Sequence, residues 1–236
     1  MTDDSRPAWL FEEFQGHRWL DAAEVEAYEA NAKPDLAAER ELLRTLGLGS
    51  QHTLIDLGAG TGVRALEATT LCRSVIAVDP SAAMLDYMRS KAERRNIRNI
   101  EYVQRGFLTY EHRSEPVDFA VTRHALHLLP DFWKVAALRR AYDVLKPGGV
   151  FFLQELVYSF EPSAASQAIE NWINAVSADG TGGFSRSFFE EHVREKYGTY
   201  AWLFEAMLEK VGFEIRSSSY SDTMAHGRYL CVKPSS

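Results

Sequence analysis

The sequence predicts an α/β fold, a doubly wound and mostly parallel sheet with helices on both faces. Three observations predict it. From residue 53 onwards, short apolar runs alternate with helix-like stretches. Repeated units of this kind build parallel sheets, because each crossover lays a helix back on a sheet face. The first apolar run ends in Gly58-Ala59-Gly60-Thr61-Gly62, where a strand must turn tightly into a helix. Finally, Lys146-Pro147-Gly148-Gly149 breaks the chain before another apolar run.

The elements follow in order. Residues 8–32 read as helical, with Trp9, Leu10, Phe11, Phe14, Trp19 and Tyr28 set among acids and alanines. Asp35 follows Pro34 and can cap a helix carrying Leu36, Leu42, Leu43 and Leu46, which Gly47 ends. Strands are expected at 53–57 and 74–78, with a helix at 62–71 between them. Ser81 opens a helix towards Arg94. Strands at 100–103 and 117–122, a helix at 131–145 and a strand at 150–156 complete the regular part. Past residue 160 the rhythm breaks into helices at 163–176 and 199–211, with a third behind Ser187 and Glu190, which form a capping-box pattern. Gly180, Gly182 and Gly183 form a loop between the first two of these. Strands at 213–220 and 228–232 bring the count to seven. The chain thus divides into an N-terminal helical cap (1–50), a core (51–158), a helical insertion (159–200) and a closing helix with two strands (201–236). Insertions as long as the third part usually carry function.

The 236 residues are 46% hydrophobic and 25% charged, enough to bury a core without disulfides or metal. Two cysteines, Cys72 and Cys231, are too few for a disulfide framework and favour a reducing compartment. The first four residues carry acid rather than base ahead of any apolar run, and no run reaches membrane-helix length. The expectation is a cytoplasmic protein, monomer or homodimer, without a membrane partner. A net charge of −7 disfavours nucleic acid. The basic run Arg89, Lys91, Arg94, Arg95 and Arg98 fits the C-terminal end of a helix better than an RNA patch.

Ligands of open α/β sheets sit at the carboxyl ends of the strands, where the glycine turn lies. Asp79 ends the second strand and can accept hydrogen bonds from both hydroxyls of a ribose. The glycine spacing departs from the dinucleotide pattern: Gly62 comes one residue early, and Val63 stands at the dinucleotide position. Asp56, two residues before Gly58, is a poor neighbour for a pyrophosphate and a good one for a cation; it can also simply cap the turn.

With these pieces the sequence resembles the class I S-adenosylmethionine-dependent methyltransferases. The resemblance rests on Asp56 to Gly62, on Val78-Asp79-Pro80-Ser81 with Met84-Leu85, on Ala125-Leu126-His127-Leu128-Leu129, and on Leu145 to Gly149. It implies a Rossmann-like sheet of seven strands with the last antiparallel, and S-adenosylmethionine as cofactor. It places Gly58, Ala59, Gly60 and Gly62 beside the methionine part, Asp79 and Pro80 at the ribose and Met84 near the adenine, and it adds Asp56 and Arg123 to the cofactor residues. One departure stands out. The turn after the third strand usually reads Gly-Asp, the acid binding the adenine amino group; here it reads Gly106-Phe107. Phe107 can pack on the ring but cannot accept that bond.

The end of the fourth strand, Val121-Thr122-Arg123-His124, lacks the Asn/Asp-Pro-Pro-Tyr element of base-amino methylation. Neither an acidic magnesium cluster nor paired glutamates of arginine methylation are evident. A metal-free methyltransferase acting on a small molecule is the reading that remains. His124 is the first candidate for acid/base work, with Tyr28 and Tyr158 behind it. His127 is expected to shape a helix start, and a metal pair of His124 and His127 flanked by Asp118 and Asp131 is disfavoured. A cyclase or isomerase using the sulfonium charge, a dinucleotide reductase and a silent binding subunit are the alternatives. Residues 8–32 and 160–200 are expected to roof a substrate chamber, with Trp9, Phe14, Trp19, Tyr28, Trp172 and Phe184 as apolar walls and the glycines at 180, 182 and 183 as hinges.

Overall fold

Alternate residues of the central strands serve two cores. Leu54, Val121 and Phe152 face one side, with Leu43, Leu66 and Met88. Their chain neighbours Ile55, Ala120 and Phe151 face the other, with Leu138, Phe204 and Leu208. A strand buried on both faces belongs in the middle of a layered sandwich. The computed structural model describes residues 7–13, 21–178 and 184–235.

In chain order the elements are α1 (Ala22–Ala32), α2 (Leu36–Thr45), β1 (Thr53–Leu57), α3 (Val63–Ala68), β2 (Ser74–Asp79), α4 (Ala82–Arg94), β3 (Ile100–Gln104), β4 (Val117–Arg123), α5 (Asp131–Asp143), β5 (Leu145–Tyr158), α6 (Ala165–Ala178), α7 (Arg186–Glu195), β6 (Thr199–Tyr200), α8 (Ala201–Val211), β7 (Glu214–Tyr220) and β8 (His226–Val232). Short 3₁₀ turns occupy Leu126–Leu128 and Pro162–Ala164. The sheet order is β3-β2-β1-β4-β5-β8-β7, with β6 paired to β5 off that path. The pairs among β1 to β5 are parallel; β8 runs antiparallel to both β5 and β7. This is the doubly wound sheet with its last strand reversed.

The caps explain several boundaries. Asp35 accepts from the Ala38 N–H at 3.0 Å, and Ser81 from the Met84 N–H at 3.3 Å. Helix α3 stops short of the expected end because the Thr69 and Thr70 hydroxyls turn back to the carbonyls of Leu66 and Glu67.

Other expectations need correction. Residues 7–13 form a turn rather than a helix, because Leu10 and Phe11 lie against the core beneath α5. The glycine pair after Pro147 does not end a helix outside the sheet. Gly148 donates to the Lys233 carbonyl and Gly149 accepts from Lys233, so β5 begins at Leu145. The cap of α7 is Ser185, which accepts from the Phe188 N–H, and not Ser187. Thr199 and Tyr200 add an eighth short strand on Val157 and Tyr158 before α8 begins.

Candidate active site

A cavity of about 630 Å³ opens over the carboxyl ends of the parallel strands. At one end lie the glycine turn and Asp79; at the other lie side chains of α6 and α7.

The glycine turn presents backbone to the first end. Gly58 and Ala59 both donate to the Val78 carbonyl, at 2.8 and 3.0 Å, folding the turn over β2. Gly58 has φ +74, and a Cβ there would stand 2.5 Å from the Cβ of Ala125. Gly60 has φ +54 and only open space where its Cβ would point. Gly62 starts α3 against Met88 and does not line the cavity.

Asp79 accepts from the Gly60 N–H at 2.8 Å and the Ser81 N–H at 2.9 Å. Burial pushes its carboxyl up to about 6. Asp56 is buried too, and burial carries it up to about 7 although Arg64 nearby opposes the change. The Ala65 amide nearby also opposes the rise, so Asp56 lies at the start of α3 while lining the cavity. Two buried carboxylates beside open space fit a ligand that brings its own donors and positive charge.

Ala59, Pro80, Met84, Phe107 and Arg123 line the same end, whereas Gly106 does not line the cavity. Arg123 is engaged with Glu39 at 2.6 Å, and Glu39 also holds the buried Arg64 at 3.0 Å.

The second end is made by side chains. Glu155 is fully buried on β5 and gathers four donors: the backbone N–H groups of Ala125, Leu126 and Leu156 at 3.0, 2.6 and 2.6 Å, and His127 Nδ1 at 2.6 Å. Burial alone would raise this carboxyl; His127, with His124 and the Leu156 amide, outweighs burial and brings it down to about 2. An ionised Glu155 holds the proton of His127 on Nδ1 and leaves Nε2 as an acceptor. His192 stands 5.7 Å from His127, ring to ring, and His226 stands 5.2 Å from His124. Burial lowers His192 and His226 to about 4 and His124 well below its usual range, so these three are neutral at pH 7. His124 also adopts φ +50, a strained conformation for this residue. Trp172 is 2% exposed, and its indole N–H has no acceptor among the described residues.

The expected residues thus separate. His124 and Tyr28 line the cavity, and burial raises the Tyr28 phenol. Tyr158 does not: its ring packs on Phe160 and Tyr200, because β5 has by then run past the cavity. Trp172 and Phe184 are walls, but Trp9 is 73% exposed and stacks on Trp133 away from the cavity. Phe14, Trp19 and the glycines at 180, 182 and 183 fall outside the described residues. His127 sits in the 3₁₀ turn Leu126–Leu128 and lines the cavity. Asp118 and Asp131 are bound to Lys146 and Lys134 instead of facing the histidines. In the basic run, Arg89, Lys91 and Arg95 pair with Asp86, Glu29 and Glu67. Sequence reasoning missed His192, His226 and Glu155. An acid inside the apolar run Phe151 to Val157 was the available signal for the last.

Fold and cavity together place a ligand-sized site at the carboxyl edge of a Rossmann-like sheet. Residues 54–149 match the family model described as a methyltransferase domain. The chain carries a methyltransferase domain over these residues. It is similar to an uncharacterized methyltransferase of Oceanobacillus iheyensis, 25% identical over 77% of this chain and 78% of that one. Among solved structures, a phosphoethanolamine N-methyltransferase of Haemonchus contortus superposes with a TM-score of 0.69 at 17% identity, over 90% of this chain and 57% of that one. A [4+2]-cyclase, SpnF, gives 0.64 at 15% identity, over 85% of this chain and 81% of that one. These two likenesses show the fold. Among the described residues, no helix is long and apolar enough to cross a membrane.

Proposed function

We propose that the protein methylates a small organic acceptor whose nucleophile carries a proton, with His127 as the base. The observation that carries this is the Glu155–His127 pair, a buried carboxylate and an oriented imidazole in the wall of the cavity that also contains Asp79 and the glycine turn. S-adenosylmethionine supplies an already activated methyl group, so the protein's task is alignment, exclusion of water and removal of a proton. Asp79 would hold the ribose and Gly60 would let the ligand approach the backbone, while Phe107 and Met84 would flank the adenine. Glu155 fixes the tautomer of His127 and stabilises the imidazolium once it takes the proton, as the carboxylate does in a catalytic triad. Trp172 offers its N–H to an acceptor atom of the substrate, and Phe184, Phe188 and Phe189 give an apolar wall suited to a flat molecule.

The test is incubation with methyl-labelled S-adenosylmethionine and a fractionated metabolite extract. Label should move to a small product as S-adenosylhomocysteine accumulates. A changed substrate with the label still on the cofactor would favour a cyclase or isomerase, the activity named for SpnF.

A further inference from the structure

We infer that Glu13, delivered by the N-terminal segment, is the carboxylate that recognises the adenine amino group of the cofactor. The role presupposes that the glycine end of the cavity holds S-adenosylmethionine, as proposed above. The turn after β3, Gly106-Phe107-Leu108, supplies no side-chain acceptor; Phe107 is apolar and 7% exposed. An adenine edge presents an amino donor that needs one. Glu13 stands at that turn: its Oε2 accepts from the Leu108 N–H at 2.8 Å, and it lines the same cavity as Asp79, Met84 and Phe107.

Two further features show that the placement is built. Gly106 has no Cβ, and one there would collide with both carboxylate oxygens of Glu13. Any other residue at 106 would push the acid away. The segment carrying Glu13 is also fastened on its approach. Leu10 and Phe11 pack on the core, and the Phe11 ring lies 6.4 Å from both Trp133 and Tyr197. A carboxylate has about four lone-pair positions. The bond to Leu108 takes one of them. The acid missing from position 107 is replaced by one more than ninety residues earlier in the chain, about the 95-residue separation of the Leu108–Glu13 bond. Adenine recognition is thereby tied to the seating of the N-terminal segment.

Calorimetry decides it, with S-adenosylhomocysteine and with S-inosylhomocysteine, in which a carbonyl oxygen replaces the amino group. The proteins are the full chain, Glu13→Ala, and Glu13→Ala combined with Phe107→Asp. The unaltered chain should prefer the adenine form by about tenfold to a hundredfold, the scale of a hydrogen bond to a charged group. Glu13→Ala should lose that factor and bind both ligands about equally, and adding Phe107→Asp should restore the preference. A preference unchanged in Glu13→Ala overturns the role. So does tighter binding of S-adenosylhomocysteine by that variant, which would make Glu13 a plug over Leu108. The unaltered chain binding neither ligand would overturn the cofactor assignment itself. Loss of affinity in Asp79→Asn beside an unchanged Glu13→Ala would leave that assignment standing and remove Glu13 alone.

Discussion

At the glycine turn the cavity wall is backbone, and its parts are close in sequence. Gly58, Ala59 and Gly60 are tied to Val78 and Asp79, about twenty residues on. Around His127 the wall is side chain, drawn from the turn after β4, from β5, α6 and α7, and from the start of β8. A backbone cradle works for any chain that makes the turn, so it can be shared by enzymes with different substrates. A side-chain chamber depends on which residues happen to meet. The cofactor end therefore carries the class of the enzyme, and the far end carries its individuality.

Altering each end in turn, and reading both binding and turnover, puts this division under the greatest load. His127→Ala should lower turnover by about a hundredfold to ten-thousandfold, the range for losing a general base. Its affinity for S-adenosylhomocysteine should stay within about twofold. Single-turnover kinetics with calorimetry on the same sample checks this, and equal losses in both would mean that the two ends are one unit. Gly58→Ala should do the reverse. Its Cβ has no room beside Ala125, and φ +74 strains it further. A stability loss of about 2–3 kcal/mol in denaturant unfolding and weaker cofactor binding are expected together.

A subtler test uses pH. Burial raises the Asp79 carboxyl from 3.8 to about 6 in the unliganded fold. The folded chain then binds a proton more tightly than the unfolded one. Stability from this group is present below pH 3.8, falls as pH rises towards 6 and is lost above it. Asp79→Asn removes that cost. Without ligand the variant should be about 1–3 kcal/mol more stable than the unaltered chain at pH 8, with the gap closing towards pH 4. It should meanwhile lose affinity for S-adenosylhomocysteine. Melting curves across that range decide, and a gap that widens on acidification would reverse the assignment. The smallest effect belongs to Trp172→Phe. It deletes an N–H that has no partner among the described residues. Stability should move by less than about 1 kcal/mol, while KM for the acceptor rises several-fold at constant kcat.

The same contrast between the two ends separates the residues that are legible in the amino-acid sequence from those that are not. Asp56, Gly58, Gly60 and Asp79 are legible because a turn and a strand end declare themselves within a few residues. Alternation of strand and helix from residue 53 makes the sheet legible for the same reason. His192 and His226 are not, since only the tertiary fold brings α7 and the start of β8 near His127 and His124. Tyr158 misleads because a strand's end says nothing of its length: β5 runs on to pair with Thr199 and Tyr200. The N-terminal aromatics suggest a helix, yet Trp9 and Phe11 spend their rings on Trp133. Tertiary packing outweighs local pattern there.

Glu155 ties three backbone amides to a single buried charge. Those amides sit on the turn after β4 and on β5, so one buried carboxylate fastens the turn to the sheet. Their hydrogens should exchange with deuterium slowly and at one common rate, set by opening of the sheet rather than by fraying of the turn. The Glu155→Gln chain should show the Ala125 and Leu126 hydrogens exchanging much earlier than those of the β1 and β4 strands.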